Sequence, residues 1–424
     1  GVIDPIEVTE LTTSLAGTSD LNDLDTVQVY FGGGNQDFSS ASSFGKKLSP
    51  KGKLVFSGQQ PLAEGANYFW IACTLRTTAN IDHRVAAACS RIAFSDGQKL
   101  SLDAQPSIQR MGVAVRQRGD DNVHTFRIPG LATTNQGTLI GVYDIRRERG
   151  GDLPGNIDVG MSRSPDGGRT WDPMKVIMDM GSDPNWNGDG IGDPSVMVDR
   201  QTGTIWVSAT WSHGNRSWFG SGPGLEPEET GQWMMVKSDD DGVTWSKPIN
   251  ITRQVKKPEW SFLLQGPGKG ITLSDGTLEF PAQYQDPPNP DDKRANRLPH
   301  SSFIFSRDHG VSWQMATGAW DDTTEAQVVE LADGEIMINC RNNRASQRAI
   351  MTTDDMGVTW KEHPTHVKDL IEPGSCMASL INVGRELSWP DVNSEYGNNF
   401  LLFSNPDSLR GRNHMTIKAS QDAG

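Results

Sequence analysis

The sequence predicts an all-β chain in two parts, a small antiparallel β-sandwich followed by a β-propeller, on three observations. Glycine (45), proline (24) and tryptophan (13) are plentiful in a chain that is only 35% hydrophobic, the composition of many short strands joined by tight turns. A motif of the form Ser/Thr-x-Asp-x-Gly-x-Thr/Ser-Trp returns four times. An apolar run of strand length precedes each copy. With 424 residues the chain is also too long for one comfortable core, so two domains or a large repeat are the natural expectation.

Residues 1–106 alternate apolar and polar residues in short bursts: "TVQVYF" (26–31), "KLVFSG" (53–58), "NYFWIACTLR" (67–76) and "CSRIAFSDG" (89–97). Turn material such as "SPKGK" and "SDGQ" separates them, which predicts a small antiparallel sandwich. The boundary is placed near "LDAQPSIQ" (102–109), giving 1–106 and 107–424.

The repeats are "SPDGGRTW" (164–171), "SDDDGVTW" (238–245), "SRDHGVSW" (306–313) and "TDDMGVTW" (353–360), and "SQDAG" (420–424) begins a fifth. In each, the Asp carboxylate accepts backbone N–H groups across a turn, Gly supplies the φ > 0 position, and Trp packs the hairpin against its neighbour. The boxes therefore serve folding. Each brings one or two carboxylates where calcium wants six to eight oxygens. A hairpin of this kind, repeated radially, is a propeller, and spacings of 47 to 74 residues leave room for long functional loops.

A net charge of -14 with no basic run argues against a nucleic-acid partner. No stretch of about 18 apolar residues is present, so no membrane span is expected. The start "GVIDPIEVTE" lacks a charged and an apolar signal region, so a signal peptide is expected to be already removed or never present. The four cysteines show no CxxC spacing, which argues against zinc and leaves a Cys73–Cys89 pair and buried free thiols both open. One local feature stands out. In "VHTFRIPGL" (123–131) a single arginine, Arg127, sits among strand-interior residues, and a buried charge needs a partner or a route to water.

The boxes together with "FRIP" resemble the sialidases (exo-α-sialidases, neuraminidases) of bacterial and animal type. The resemblance spans about residues 107–424 and implies six blades, the last incomplete in this chain. It also implies an Arg triad for the substrate carboxylate: Arg127, Arg341 in "MINCRNN" and Arg412 in "GRNHMTIKAS", with Arg410 the rival for the third place. Planar guanidinium forks suit a carboxylate better than lysine does. Asp152 in "DIRRERGGDLPGN" matches the family's acid/base. Arg146 and Asp193 in "GIGDPSV" resemble the pair at the sugar 4-hydroxyl, and Gln283 in "FPAQYQD" is a candidate for the glycerol side chain. Glu325 in "DDTTEAQVVEL" matches the base of a tyrosine nucleophile, a neutral phenol that the substrate's carboxylate does not repel.

The pattern breaks at that tyrosine. It should lie thirty to forty residues past the third arginine, and Tyr30, Tyr68, Tyr143, Tyr284 and Tyr396 all lie elsewhere. A C-terminal fragment of the same protein carrying it is therefore expected as a partner. The implied activity is a retaining exo-α-sialidase on terminal sialic acids of glycoconjugates, without metal or organic cofactor, secreted or periplasmic. The alternatives are a non-catalytic sialoglycan-binding lectin, a trans-sialidase, or an adhesion module whose sandwich binds the glycan.

Overall fold

The computed structural model describes residues 5–34, 38–181, 188–289, 297–374, 376–386 and 399–424, and the chain divides into two units, Gly1–Ala114 and Val115–Gly424. The first unit is built from two antiparallel sheets. Lys53–Pro61, Glu7–Ser14, Arg84–Phe94 and Lys99–Ser101 lie side by side in one, and Ser42–Leu48, Leu24–Gly33 and Tyr68–Leu75 form the other. Val8, Leu11 and Phe56 from one sheet and Val27, Val29 and Phe44 from the other share a single apolar cluster, so the sheets pack face to face. Ser107–Arg110 pairs with Arg84–Phe94. The strand therefore belongs to the sandwich, and the boundary falls at 114 rather than at 106. Cys73, Cys89, Cys340 and Cys376 are free thiols.

The second unit contains five meander sheets among the described residues, antiparallel apart from Gly268–Lys269, which pairs in parallel with Gly190–Val198. The first is Thr125–Thr133, Leu139–Arg146, Ile157–Ser164 and Lys175–Met178. The second is built on Gly190–Val198, Ile205–Ser212 and Gln232–Ser238, the third on Phe262–Gln265, Leu278–Gln285 and Pro299–Ser306. The fourth follows with Thr323–Glu330, Ile336–Asn342 and Ala349–Thr353, and the fifth with Ser379–Asn382, Leu401–Pro406 and Met415–Ser420. Apolar clusters form between successive sheets: Ile140 and Val159 meet Val196 and Val207, Trp206 and Trp233 meet Phe280 and Ile304, Phe303 and Phe305 meet Val328 and Ile338, and Met337 and Ile350 meet Leu380 and Phe403. Face-to-face packing of each sheet on the next is the radial arrangement of a propeller. Against the expected six blades, the described residues show four with a fourth outer strand and a fifth of three strands.

Each box closes the turn after the third strand of its sheet, and the atoms explain the repeat. Asp240 Oδ1 accepts from Ser238 Oγ (2.8 Å) and Thr244 N (2.8 Å), its Oδ2 accepts from Thr244 Oγ1 (2.5 Å), and Gly242 N donates to Ser238 Oγ (3.0 Å). Gly242 has φ +85°, the region open to glycine. The box tryptophans reach back to the preceding blade: Trp245 joins the cluster of sheets one and two, Trp313 that of two and three, and Trp360 that of three and four. Hydrogen bonds from Thr244 hold the Asp240 carboxyl down at about 2. A lowered carboxyl contributes stability above its ordinary range near ~4 and loses it only as the pH falls toward the folded value, so the box turns persist through mild acid.

Asp308 makes the same three bonds, to Ser306 Oγ, Ser312 N and Ser312 Oγ. Asp308→Ala takes the acceptor from three donors of the turn. It is expected to lower Tm by roughly a few degrees, the scale of losing one capping side chain. Scanning calorimetry checks this, and an unchanged Tm would assign the turn to Gly310 and Trp313 alone.

Candidate active site

Three inner strands break their ladders at the same end, and each break is a bulge of two residues against one. In the first sheet Val142 faces Gly130 and Asp144 faces Arg127, so Ile128 and Pro129 oppose Tyr143 alone. Ile128 has φ +54°, a costly conformation for a β-branched residue, and Pro129 has no N–H to give the ladder. "FRIP" is therefore a strand interruption that re-aims Arg127. The second sheet repeats it: Gly192 faces Thr210 and Ser195 faces Ser208, with Asp193 (φ +57°) and Pro194 in the bulge. In the fourth, Thr323 faces Asn342 and Ala326 faces Cys340, which leaves Thr324 and Glu325 against Arg341.

Beside the first bulge Arg127 joins a bonded group with Arg146 and Asp152, and at the fourth sheet's bulge Glu325 meets Arg341. Asp152 Oδ1 accepts from Arg127 Nη1 (3.0 Å) and Arg146 Nη1 (2.7 Å), and the carbonyl of Gly150 accepts from the same two groups (3.3 and 2.9 Å). Asp152 is 73% exposed whereas Arg146 is 1% exposed, so the aspartate covers the arginine. The loop carrying Asp152 lies on the start of the second sheet's inner strand: a Cβ on Gly190 would stand 2.0 Å from the Gly155 carbonyl, so only glycine fits there. Glu325 is ion-paired with Arg341 Nη1.

Two members come from side chains that the sequence patterns did not single out. Asp144, 1% exposed, accepts from Arg146 Nε (3.0 Å) and Nη2 (2.8 Å) and from the backbone N–H of Asp193 (2.8 Å). The fully buried Gln265 donates through Nε2 to the carbonyls of Gly192 and Asp193 and accepts from Thr210 Oγ1 (2.7 Å). A carboxylate in the apolar run "LIGVYDIR" was the available signal for Asp144.

The charges form one field. Burial pushes the Asp193 carboxyl well up, and the charges of Asp144 and then Glu325 add to this against a smaller opposing effect of Arg146. Asp144 is raised by burial too, with Arg146 opposing. For Asp152 burial acts upward, but the hydrogen bond and charge of Arg146, then those of Arg127, outweigh it and hold the carboxyl below its usual range. Burial raises the Cys376 thiol, Arg412 pulls it down, Glu372 pushes it up, and Arg341 and Arg348 lower it more weakly; Arg412 itself is exposed on the turn before Met415–Ser420. The carbonyl of Arg410 accepts from Ser408 Oγ (2.8 Å) and Asn413 Nδ2 (3.4 Å) in a local turn. Gln283 is buried at 2% exposure with Oε1 unpartnered among the described residues, and no hydrogen bond there joins it to this group.

The described tyrosines of the propeller are engaged elsewhere. Tyr143 Oη bonds Ser162 Oγ (2.7 Å), and Tyr284 stacks between Trp260 and His300 with its hydroxyl pushed up to about 12 by burial. Tyr396 lies outside the described residues.

The comparisons with known proteins agree on one family. Residues 2–98 match the N-terminal domain of BNR-repeat neuraminidase and residues 147–424 the BNR repeat-like domain. A sialidase of Bacteroides fragilis is 42% identical over 441 residues, covering 95% of this chain and 78% of that protein. One from Paraclostridium sordellii is 34% identical over 270 residues, covering 62% and 64%. The solved Hadza microbial sialidase Hz136 superposes with a TM-score of 0.71 at 41% identity, over 100% of this chain and 85% of that one. At 19% identity an intramolecular trans-sialidase from Ruminococcus gnavus shares the fold, with a TM-score of 0.61 over 72% of this chain and 82% of that one. The chain belongs to the BNR-repeat neuraminidases, the sialidase family.

Proposed function

We propose that this exo-α-sialidase releases terminal sialic acids from glycoconjugates with retention of configuration, using Asp152 as acid/base, Glu325 as the base of a tyrosine nucleophile, and Arg127, Arg341 and Arg412 as the carboxylate clamp. The observation that carries this reading is the set of coincident bulges. They set Arg127, Asp193 and Glu325 at one end of three inner strands, and Asp152 and Arg341 pair directly with two of them.

The chemistry follows from the charges. A phenol attacks the anomeric carbon, Glu325 takes its proton, and the glycosidic C–O bond breaks as Asp152 delivers a proton to the leaving oxygen. Water then attacks the anomeric carbon with Asp152 accepting its proton, and the departing phenolate recovers its proton from Glu325. The reading requires a phenol beside Glu325, and neither described propeller tyrosine lies there. Arg146 and Asp193 take the 4-hydroxyl, and Gln283 remains the candidate for the glycerol chain. Such substrates place the enzyme outside the cytoplasm, secreted or periplasmic.

Free Asp152 occupies the arginine that the substrate's carboxylate needs. An ion pair whose acid is 73% exposed is worth at most about 1 kcal/mol, so a bidentate substrate carboxylate displaces it. Incubation with an α-sialyllactose and NMR of the first-formed sialic acid tests the reading. Turnover giving the α-anomer first is expected. Binding without turnover would make the protein a lectin, and a sialyl transfer product in place of free sialic acid would make it a trans-sialidase.

A further inference from the structure

We propose that Asp144 is the positioning residue of the sugar-hydroxyl end of the pocket: one buried carboxylate locks Arg146 and Asp193 into a single unit. The inference rests on the reading of Arg146 and Asp193 given above. In the strand Leu139–Arg146 residues two apart share a face, so Asp144 and Arg146 stand side by side, each 1% exposed. A buried carboxylate without partners is costly, and Asp144 uses both oxygens. Oδ2 takes Nε and Nη2 of Arg146, and Oδ1 takes the N–H of Asp193.

Those bonds set what the two neighbours can do. With the Nε–Nη2 edge of Arg146 held by Asp144, the Nη1 edge is turned toward Gly150 and Asp152, the side on which substrate must arrive. Asp193 adopts φ +57°, a backbone conformation that persists in a non-glycine residue only when its surroundings hold it. The Asp144 carboxylate supplies one restraint from the first sheet and Gln265 another from the third. The approach is close: a Cβ on Gly192 would lie 3.1 Å from Asp144 Oδ1. Among the described residues Asp144 is thus the one side chain whose hydrogen bonds reach both residues of the proposed hydroxyl site.

The test compares a sialoside with its 4-deoxy counterpart, which lacks the hydroxyl that Arg146 and Asp193 address. Asp144→Asn keeps the size and one acceptor but removes the charge that orients the guanidinium. We expect KM for the sialoside to rise on the order of 10- to 100-fold, as for a misplaced binding group. kcat should change far less, and KM for the 4-deoxy substrate should stay near the wild-type value. A purely structural role predicts equal losses on both substrates, and equal losses, or an unchanged KM on both, overturn the proposal. Where Asp144→Asn does not fold, Gly192→Ala pushes a methyl against the same carboxylate, and the same substrate-selective penalty is required of it. Wild-type protein inactive on both sialosides would instead overturn the sialidase reading itself.

Discussion

Asp152→Ala is expected to lower kcat for sialosides with a sugar leaving group by on the order of 10²–10⁴-fold, the usual worth of a positioned general acid. The loss should be much smaller for an aryl sialoside. A phenolate departs without a proton, whereas a sugar alkoxide does not, so the gap between the two substrates isolates proton donation from binding. The variant carries a second, opposite expectation. In the free protein Asp152 neutralises Arg127 at 3.0 Å, and removing it frees that guanidinium. Affinity for a non-reacting sialate should therefore stay the same or improve up to about 5-fold, the scale of an exposed ion pair. A parallel loss of kcat and affinity would mean that the loop, and not the carboxylate, had been damaged.

The same pair fixes a pH effect whose sign can be worked out. Free Asp152 is held below the usual carboxylate range, because the bonds and charges of Arg146 and Arg127 outweigh its burial. A bound substrate carboxylate diverts Arg127 and adds a negative charge, and both changes raise the acid. Ligand binding therefore takes up protons in the acidic range between the two values. Titration calorimetry in buffers of different ionisation enthalpy should show uptake for wild type and its loss in Asp152→Ala. An acid that is deprotonated when idle becomes protonated as substrate arrives.

The repeat was legible because it encodes a local turn. Ser238, Asp240, Gly242 and Thr244 satisfy one another within seven residues, so the pattern survives in one dimension. Arg127, Asp152, Asp193, Glu325 and Arg341 could be placed by short signatures and spacing. What the sequence hides is the cause of their convergence. A bulge is a mismatch between two strands, and neither "RIP" nor "TTEA" reveals that it faces one residue rather than two. Gln265 was unreadable for a similar reason, since its partner lies 72 residues away and a strand-interior Gln carries no motif; Asp144 stood out only as a carboxylate in an apolar run, and its tie to Asp193 spans 49 residues. The domain boundary moved because "SIQR" looks like linker until it pairs with Arg84–Phe94. Gln283 rested on the resemblance alone, and its side chain is buried.

The second large effect is expected at Arg341. Its guanidinium is paired with Glu325, so it touches the proposed base while serving as one fork of the proposed clamp. Arg341→Met leaves Glu325 without a counter-charge at 19% exposure and removes one fork from the substrate carboxylate. Truncating one member of a largely buried, hydrogen-bonded charge pair costs about 2–5 kcal/mol, so kcat/KM should fall on the order of 30- to several-thousand-fold. Arg341→Lys separates the two duties. A lysine keeps the charge that Glu325 requires but offers a point donor where a planar fork is needed. It should recover much of kcat while leaving KM high. Steady-state kinetics on one sialoside decides the matter: equal recovery of kcat and KM in the lysine variant would show that charge alone matters at this position, and the clamp would then lose its second fork.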